Sequence, residues 1–329
     1  MKRIEAGSYY SYLPEGCRIC RRGAKLVLFV TGLCNSKCFY CPISAEKAGK
    51  DVVFANEREV KTKDDFIDEA NLMNAEGVAI TGGEPLLKLE RIIEFLKISS
   101  KMGLHSHLYT SLPAKENVLK KLSEYLDEIR FHPPELKNVE AYKEPILIAK
   151  KLGIEAGFEI PAIRYEPKIV EIANELDVFL NLNQLEVSET NFRAIVDRGY
   201  DVKDYYVECE DVVKKYETAR KFHYCSARFK DIAQFRRRLI RMAMNYPEFY
   251  KVTRDGTLIC CLIEGEDFEK AEKILKEYGY DYIKVEDGIE TDIDITNTIC
   301  ENLKAEGFRL KIIERYPTSK RIVIEVIPI

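Results

Sequence analysis

Lys25-Leu26-Val27-Leu28-Phe29-Val30-Thr31-Gly32-Leu33-Cys34-Asn35-Ser36-Lys37-Cys38-Phe39-Tyr40-Cys41 is the stretch on which the fold turns. It begins as an apolar run of strand length, KLVLFVT (25–31), and passes directly into three thiols within eight residues. An uninterrupted apolar run of this kind is what a strand buried on both faces requires, as in a parallel sheet. Three cysteines so close cannot all pair with one another, and their gaps of three and two residues suit metal ligation.

Working outward, five further runs repeat the first: GVAITGG (77–83), HSHLYTS (105–111), EIRFHP (128–133), EAGFEIPAI (155–163) and VFLNLNQL (178–185). Amphipathic segments lie between them at 64–73, 89–98, 115–125, 139–151 and 166–176. Asp64–Met73, for example, has Phe66, Ile67, Ala70, Leu72 and Met73 at helical spacing. Strands alternating with helices predict β/α units of a parallel sheet, and six of them point to a partial rather than an eightfold barrel. The expected organisation is α/β: an N-terminal segment with a CxxC pair (1–23), a partial (β/α)6 barrel (24–190), a basic helical segment with a hairpin (191–263) and a small α+β appendage (264–329). In the last two, Arg254-Asp255-Gly256 separates FYKVT from TLICCLI as a hairpin turn would. Beyond it, 266–278 and 293–306 read as helices, and DYIKV, RLKIIER and RIVIEVI as strands.

Composition narrows the function classes. A chain of 329 residues with 46% hydrophobic residues can bury a full core without staples. No apolar run is long enough to cross a bilayer, and MKRIEAGSYYSY lacks the apolar core of a secretory signal, so the expected location is the cytoplasm. The 51 Lys plus Arg against 55 Asp plus Glu give a net charge of −4, which by itself calls for no polyanionic partner. Charged residues at 32% and the lack of tryptophan fit a thermophile. In a cytosolic chain, the ten cysteines read first as metal ligands where they cluster. Cys260, Cys261 and Cys300 read as small buried apolar groups.

Thiolates at short spacing in a loop leaving a strand suit an iron–sulfur cluster; a structural zinc site or three packing thiols are the alternatives. Zinc needs a closed set of four ligands, and no fourth Cys or His lies nearby in sequence. The second run ends in Thr81-Gly82-Gly83-Glu84-Pro85, where two glycines expose backbone and a carboxylate follows.

CxxxCxxC after the first strand together with GGEP after the second resembles the radical S-adenosylmethionine (radical SAM) superfamily, over about residues 24–186. The nearest subgroup is the glycyl-radical activating enzymes of the pyruvate formate-lyase type. The resemblance implies that Cys34, Cys38 and Cys41 hold a [4Fe–4S] cluster whose fourth iron chelates S-adenosylmethionine. It also implies that an electron from a ferredoxin- or flavodoxin-type donor breaks the sulfonium bond, yielding a 5′-deoxyadenosyl radical that abstracts a substrate hydrogen. It places Tyr40 near the adenine, Gly82, Gly83 and Glu84 at the methionine amine, and Thr110 and Ser111 at the ribose. Arg130 would meet the methionine carboxylate, and His132 and Glu159 would point inward. The substrate does not carry over. A glycyl-radical activase, an RNA- or small-molecule-modifying enzyme and a non-catalytic iron–sulfur protein are the rival readings, and Glu84 with its glycines argues against the last.

Two features lie outside the resemblance. Cys17 and Cys20, with Cys225 and His223, form a candidate set for a second metal, zinc or another cluster; two unrelated pairs are the alternative. Residues 214–241 carry ten Lys or Arg against two acids, which reads as a solvated helix face or as a site for a phosphate-bearing substrate such as RNA. Asn181 and Asn183 share one face of the sixth strand and need partners, from a polar substrate or from a structural network.

Overall fold

The structure, a computed structural model, describes residues 1–329 and resolves into two compact units. Met1–Asn71 with Ala75–Phe235 form the first, and Arg236–Ile329 with Leu72–Asn74 the second.

The first unit contains α1 (Glu15–Arg21) and seven parallel strands: β1 (Lys25–Phe29), β2 (Gly77–Thr81), β3 (His105–Thr110), β4 (Glu128–Phe131), β5 (Glu155–Pro161), β6 (Phe179–Asn183) and β7 (Phe222–Cys225). They lie side by side in chain order. A small hairpin (54–55, 58–59) adds beyond β1, and Tyr9–Tyr10 then Lys2–Arg3 add beyond β7. The two edges do not pair, so the barrel stays open. All six expected strands are present; β7 extends them from within the basic segment, where His223 and Cys225 interrupt the apolar signal. Its register places His223 beside Asn181 and Cys225 beside Asn183.

Strand alternation sorts the side chains. Leu26, Leu28, Val78, Ile80, Leu108, Ile129, Phe131, Phe158, Leu180, Leu182 and Phe222 are fully buried. Burial of each such side chain stabilises the unit by about 1.5–3 kcal/mol. The alternate positions turn inward and are polar: Lys25, Tyr109, Arg130, Glu159, Asn181 and His223 line the interior. Helices close the outer side by periodicity; Leu89–Lys101 buries Ile92, Phe95, Leu96 and Ser99, one face of a 3.6-residue repeat. α1 folds into the barrel floor. Its Gly16 N–H donates to Glu128 Oε2 (3.1 Å), and a Cβ there would stand 2.6 Å from Arg130 Nη2 and 2.7 Å from His107 Nδ1. Only glycine lets the α1 backbone come so close.

In the second unit, Leu258–Glu264 is central in an antiparallel sheet, flanked by Arg309–Arg315 and Gly288–Thr291; Gly288–Thr291 has no counterpart among the expected strands. Cys261 packs with Ile263, Leu275, Ile289 and Leu303 on one face, and Cys260 with Phe249, Tyr250 and Ile313 on the other. The adjacent thiols thus face opposite ways as buried apolar groups, and Cys300 is buried in its helix. No helix in the chain is long and apolar enough to cross a membrane.

Candidate functional site

The loop after β1 carries the triad to the carboxyl ends of the strands. Cys34, Cys38 and Cys41 are free thiols, the first exposed and the others half-buried, and all three line a pocket of about 340 Å3. Gly82, Gly83, Thr110, Ser111, His132 and Glu159 line the same pocket, so the triad and the ends of β2 to β5 meet in one place. Cys34 Sγ accepts a hydrogen bond from Ser36 N (3.3 Å). Burial pushes the Cys38 and Cys41 thiols up. Metal loading must displace their protons, so it weakens as pH falls. No three Cys, His, Asp or Glu side chains in the chain are drawn together as a formed ligand set. For the triad, the donors sit on one loop with Cys34 in solvent, and three thiols at a pocket mouth fit a cluster that leaves one iron to a small ligand.

The glycines of GGEP serve the chain before they serve a ligand. Gly83 N donates to Thr31 O (2.7 Å) and Glu84 N to Leu33 O (2.8 Å), zipping this turn to the backbone leading into the triad. A Cβ on Gly82 would lie 2.5 Å from Thr31 O, and one on Gly83 2.4 Å from Leu33 O. Glu84 is 1% exposed and does not line the pocket. Its Oε1 accepts from Leu86 N (3.0 Å) and Thr110 Oγ1 (2.8 Å), its Oε2 from Ser111 N (2.7 Å) and Ser111 Oγ (2.5 Å). The expectation that this carboxylate holds the amine meets a carboxylate already filled by the ends of β2 and β3. The Thr110 hydroxyl is likewise committed, donating to Glu84 and accepting from Leu112 N (3.0 Å).

Tyr40 is 5% exposed and forms a latch. Glu135 N donates to the Tyr40 hydroxyl oxygen (2.9 Å), the hydroxyl lies 3.0 Å from His132 Nε2, and His132 Nδ1 lies 3.0 Å from the Glu159 carbonyl. A carbonyl can only accept, so Nδ1 carries the hydrogen and Nε2 accepts from Tyr40. Burial lowers the His132 pKa, which favours the neutral form with its hydrogen on Nδ1. Asn191, buried, closes the loop from the other side by donating to Tyr40 O (3.0 Å).

Glu159 lines both this pocket and a second, interior one. Its Oε1 accepts from Asn183 (2.8 Å), its Oε2 from Asn181 (3.1 Å) and from Arg130 Nη1 (2.6 Å). These bonds answer what the polar residues of β6 are for. Burial alone would raise the Glu159 carboxyl; the Arg130 guanidinium and the two amides overcome it and hold it at about 2. Arg130 itself does not reach the triad pocket. It is 1% exposed, paired with Glu128 and Glu159 and bonded to Tyr109, and it lines the interior cavity instead. His132, two positions on and hence again inward, is the β4 residue that meets the triad pocket. Lys25 and Lys230, also inward, went unnoticed in the sequence; Lys25 carries a signal, a lysine at an inward position of an otherwise apolar strand.

Cys17, Cys20, His223 and Cys225 do come together in the interior cavity, the CxxC pair from the floor. They are borne by α1 and β7, whose backbones the core holds, and no three of them form a ligand set there. β7 lies within the basic stretch, and Lys214, Lys221 and Lys230 pair with Glu210, Asp177 and Glu186.

Burial lowers the pKa values of His107, His132 and His223, the last to about 3. A histidine kept neutral in the fold binds its proton only on unfolding, so stability is fully present above about pH 6.5 and falls as pH drops below it. Each such group contributes at most about 1.4 kcal/mol per pH unit, over the range between its folded pKa and about 6.5. Denaturant titrations across pH 5–8 measure it; a flat profile would show that these histidines titrate normally.

Residues 28–135 match the radical SAM superfamily, and residues 256–329 match a domain of unknown function (DUF8061). A Methanocaldococcus jannaschii protein named "Putative glycyl-radical enzyme activating enzyme" is 37% identical over 352 residues, covering 97% of this chain and 94% of that protein. Among solved structures, Streptococcus suis SuiB bound to S-adenosylmethionine is 14% identical, with a TM-score of 0.43 over 62% of this chain; this chain spans 50% of its length. A domain of pyruvate-formate lyase-activating enzyme from Bacteroides vulgatus is 18% identical with a TM-score of 0.34, covering 46% of this chain and 99% of that domain.

Proposed function

Because the chain belongs to the radical SAM superfamily, and so is an enzyme of S-adenosylmethionine-dependent radical chemistry, we propose that Cys34, Cys38 and Cys41 hold its [4Fe–4S] cluster and that the adjoining pocket takes the cofactor. The observation that carries this reading is the meeting of the three thiols with the ends of β2 and β3 in one pocket. When bound, the reduced cluster and S-adenosylmethionine supply a 5′-deoxyadenosyl radical for hydrogen abstraction. The chain's own part is positioning and enclosure. The Gly82–Gly83 backbone lies along the loop that bears the triad, so one turn would position both cluster and cofactor. Ser111 keeps lone pairs for a ribose hydroxyl after donating to Glu84. The Tyr40–His132 latch shuts the side of the pocket and, being neutral, neither gives up nor takes a proton near neutral pH.

A second reading concerns the substrate. The name of the archaeal relative favours a glycine of a partner protein. The electron would come from a ferredoxin- or flavodoxin-type donor. Anaerobic reduction with S-adenosylmethionine should yield 5′-deoxyadenosine and methionine. Absence of cleavage by cluster-loaded protein under strong reductant would sink the enzymatic reading. If the substrate is a polypeptide, the yield rises on adding the partner protein and not on adding small metabolites.

A further inference from the structure

The last strand of the second unit, Val323–Pro328, stands at the edge of its sheet. Arg309–Arg315 pairs with it on one side, and no strand pairs with it on the other. Every position in it is exposed, on both faces of the strand alike. Ile322, Val323, Ile324, Val326, Ile327 and Ile329 are each 37–53% bare. Aliphatic side chains scattered singly over a surface need no cover. These lie in one unbroken strip, which folded chains reserve for a contact. A bare strand edge also invites another strand.

Charge and backbone say what kind of partner. Lys320 and Glu325 are exposed, and neither makes an ion pair. Arg321, between them, is spent on Glu290 and Tyr250. Ile329 N donates to Leu310 O (3.1 Å), so the nitrogen of Pro328, one residue back, faces the open edge and has no hydrogen to give. The far end of the strand is thereby closed to pairing, and the stretch from Lys320 to Val326 is open. That stretch complements itself when reversed. Laid antiparallel about a two-fold at Val323, it sets Ile322 against Ile324 and brings Lys320 of each copy within reach of Glu325 of the other. A two-fold at Glu325 would instead set like charges opposite each other. We propose that this edge is the interface of a two-fold dimer, its occupant a second copy of this chain. Strand and flanks would remove roughly 1,000 Å2 in total, near the lower bound for a specific contact, so the dimer is a weak one.

Sedimentation velocity on the full-length chain free of cluster tests this apart from any radical chemistry. The wild type should be a dimer at tens of micromolar and dissociate on dilution, as an interface of this size requires. Val326→Lys puts a charge into the strip and should leave only monomer. Glu325→Lys and Lys320→Glu should each weaken association about tenfold, since each breaks both symmetric pairs and sets like charges together. The double swap, Lys320→Glu with Glu325→Lys, rebuilds the pairs with their signs exchanged and should restore wild-type association. All the side chains changed are exposed, so melting temperatures should stay near that of the wild type. A wild type that stays monomeric at that concentration would overturn the inference and leave the strip to a different partner. Undiminished association of Val326→Lys would overturn it, as would a double swap that associates no better than the single variants.

Discussion

Replacing Cys34, Cys38 and Cys41 together by alanine should abolish the iron–sulfur cluster that responds to S-adenosylmethionine and reduce 5′-deoxyadenosine formation to background. The three thiols share one loop and line one pocket. Stability should hardly change, because Cys34 is exposed and the other two are half-buried in a loop, where substitutions cost about 0.5 kcal/mol. Iron analysis, electron paramagnetic resonance of the reduced protein and a melting curve check all three statements. An unchanged resonance signal in the triple variant would mean that the cluster lies elsewhere. Cys17→Ala/Cys20→Ala should leave that signal intact.

Glu84→Ala should act mainly on the fold, with weaker cofactor binding as a consequence. The carboxylate is buried and accepts four hydrogen bonds, three of them from Thr110 and Ser111 at the end of β3. Its removal leaves the buried Thr110 hydroxyl and the half-buried Ser111 donors without their acceptor, at a cost of about 3 kcal/mol. In a unit of this size that lowers the melting temperature by roughly 6–12 °C. Affinity for S-adenosylmethionine should fall about tenfold, since the turn carrying Gly82 and Gly83 loses its anchor. A variant with wild-type melting temperature and lost affinity would instead assign Glu84 directly to the ligand. Glu84→Gln separates the two roles further. It keeps an acceptor and the shape, so it should recover part of the stability.

The barrel was legible because each strand announces itself locally. Runs such as KLVLFVT and GVAITGG are bounded by turn residues, and the helices between them keep a 3.6-residue period. β7 escaped notice because its inward positions are His223 and Cys225, whose polarity makes sense only once Asn181 and Asn183 lie beside them. The triad was legible for a similar reason, three donors of one kind within one loop. The work of Glu84 was not, since three of its four bonds come from Thr110 and Ser111, 26 and 27 residues away, which meet it only through the β2–β3 pairing.

By itself, the sequence determined the β/α order, the triad and the glycine turn, because periodicity and short spacing are properties of neighbouring residues. Only the tertiary structure decided which side chains share a space. It placed Arg130 on Glu159 instead of in the triad pocket, closed Tyr40 onto His132, and turned the CxxC pair into the floor of a polar cavity. Inward-pointing residues from seven separate strands become neighbours when the sheet curls. Their charges and hydrogen bonds are then settled by whichever partner stands opposite, at distances along the chain where sequence pattern carries no signal.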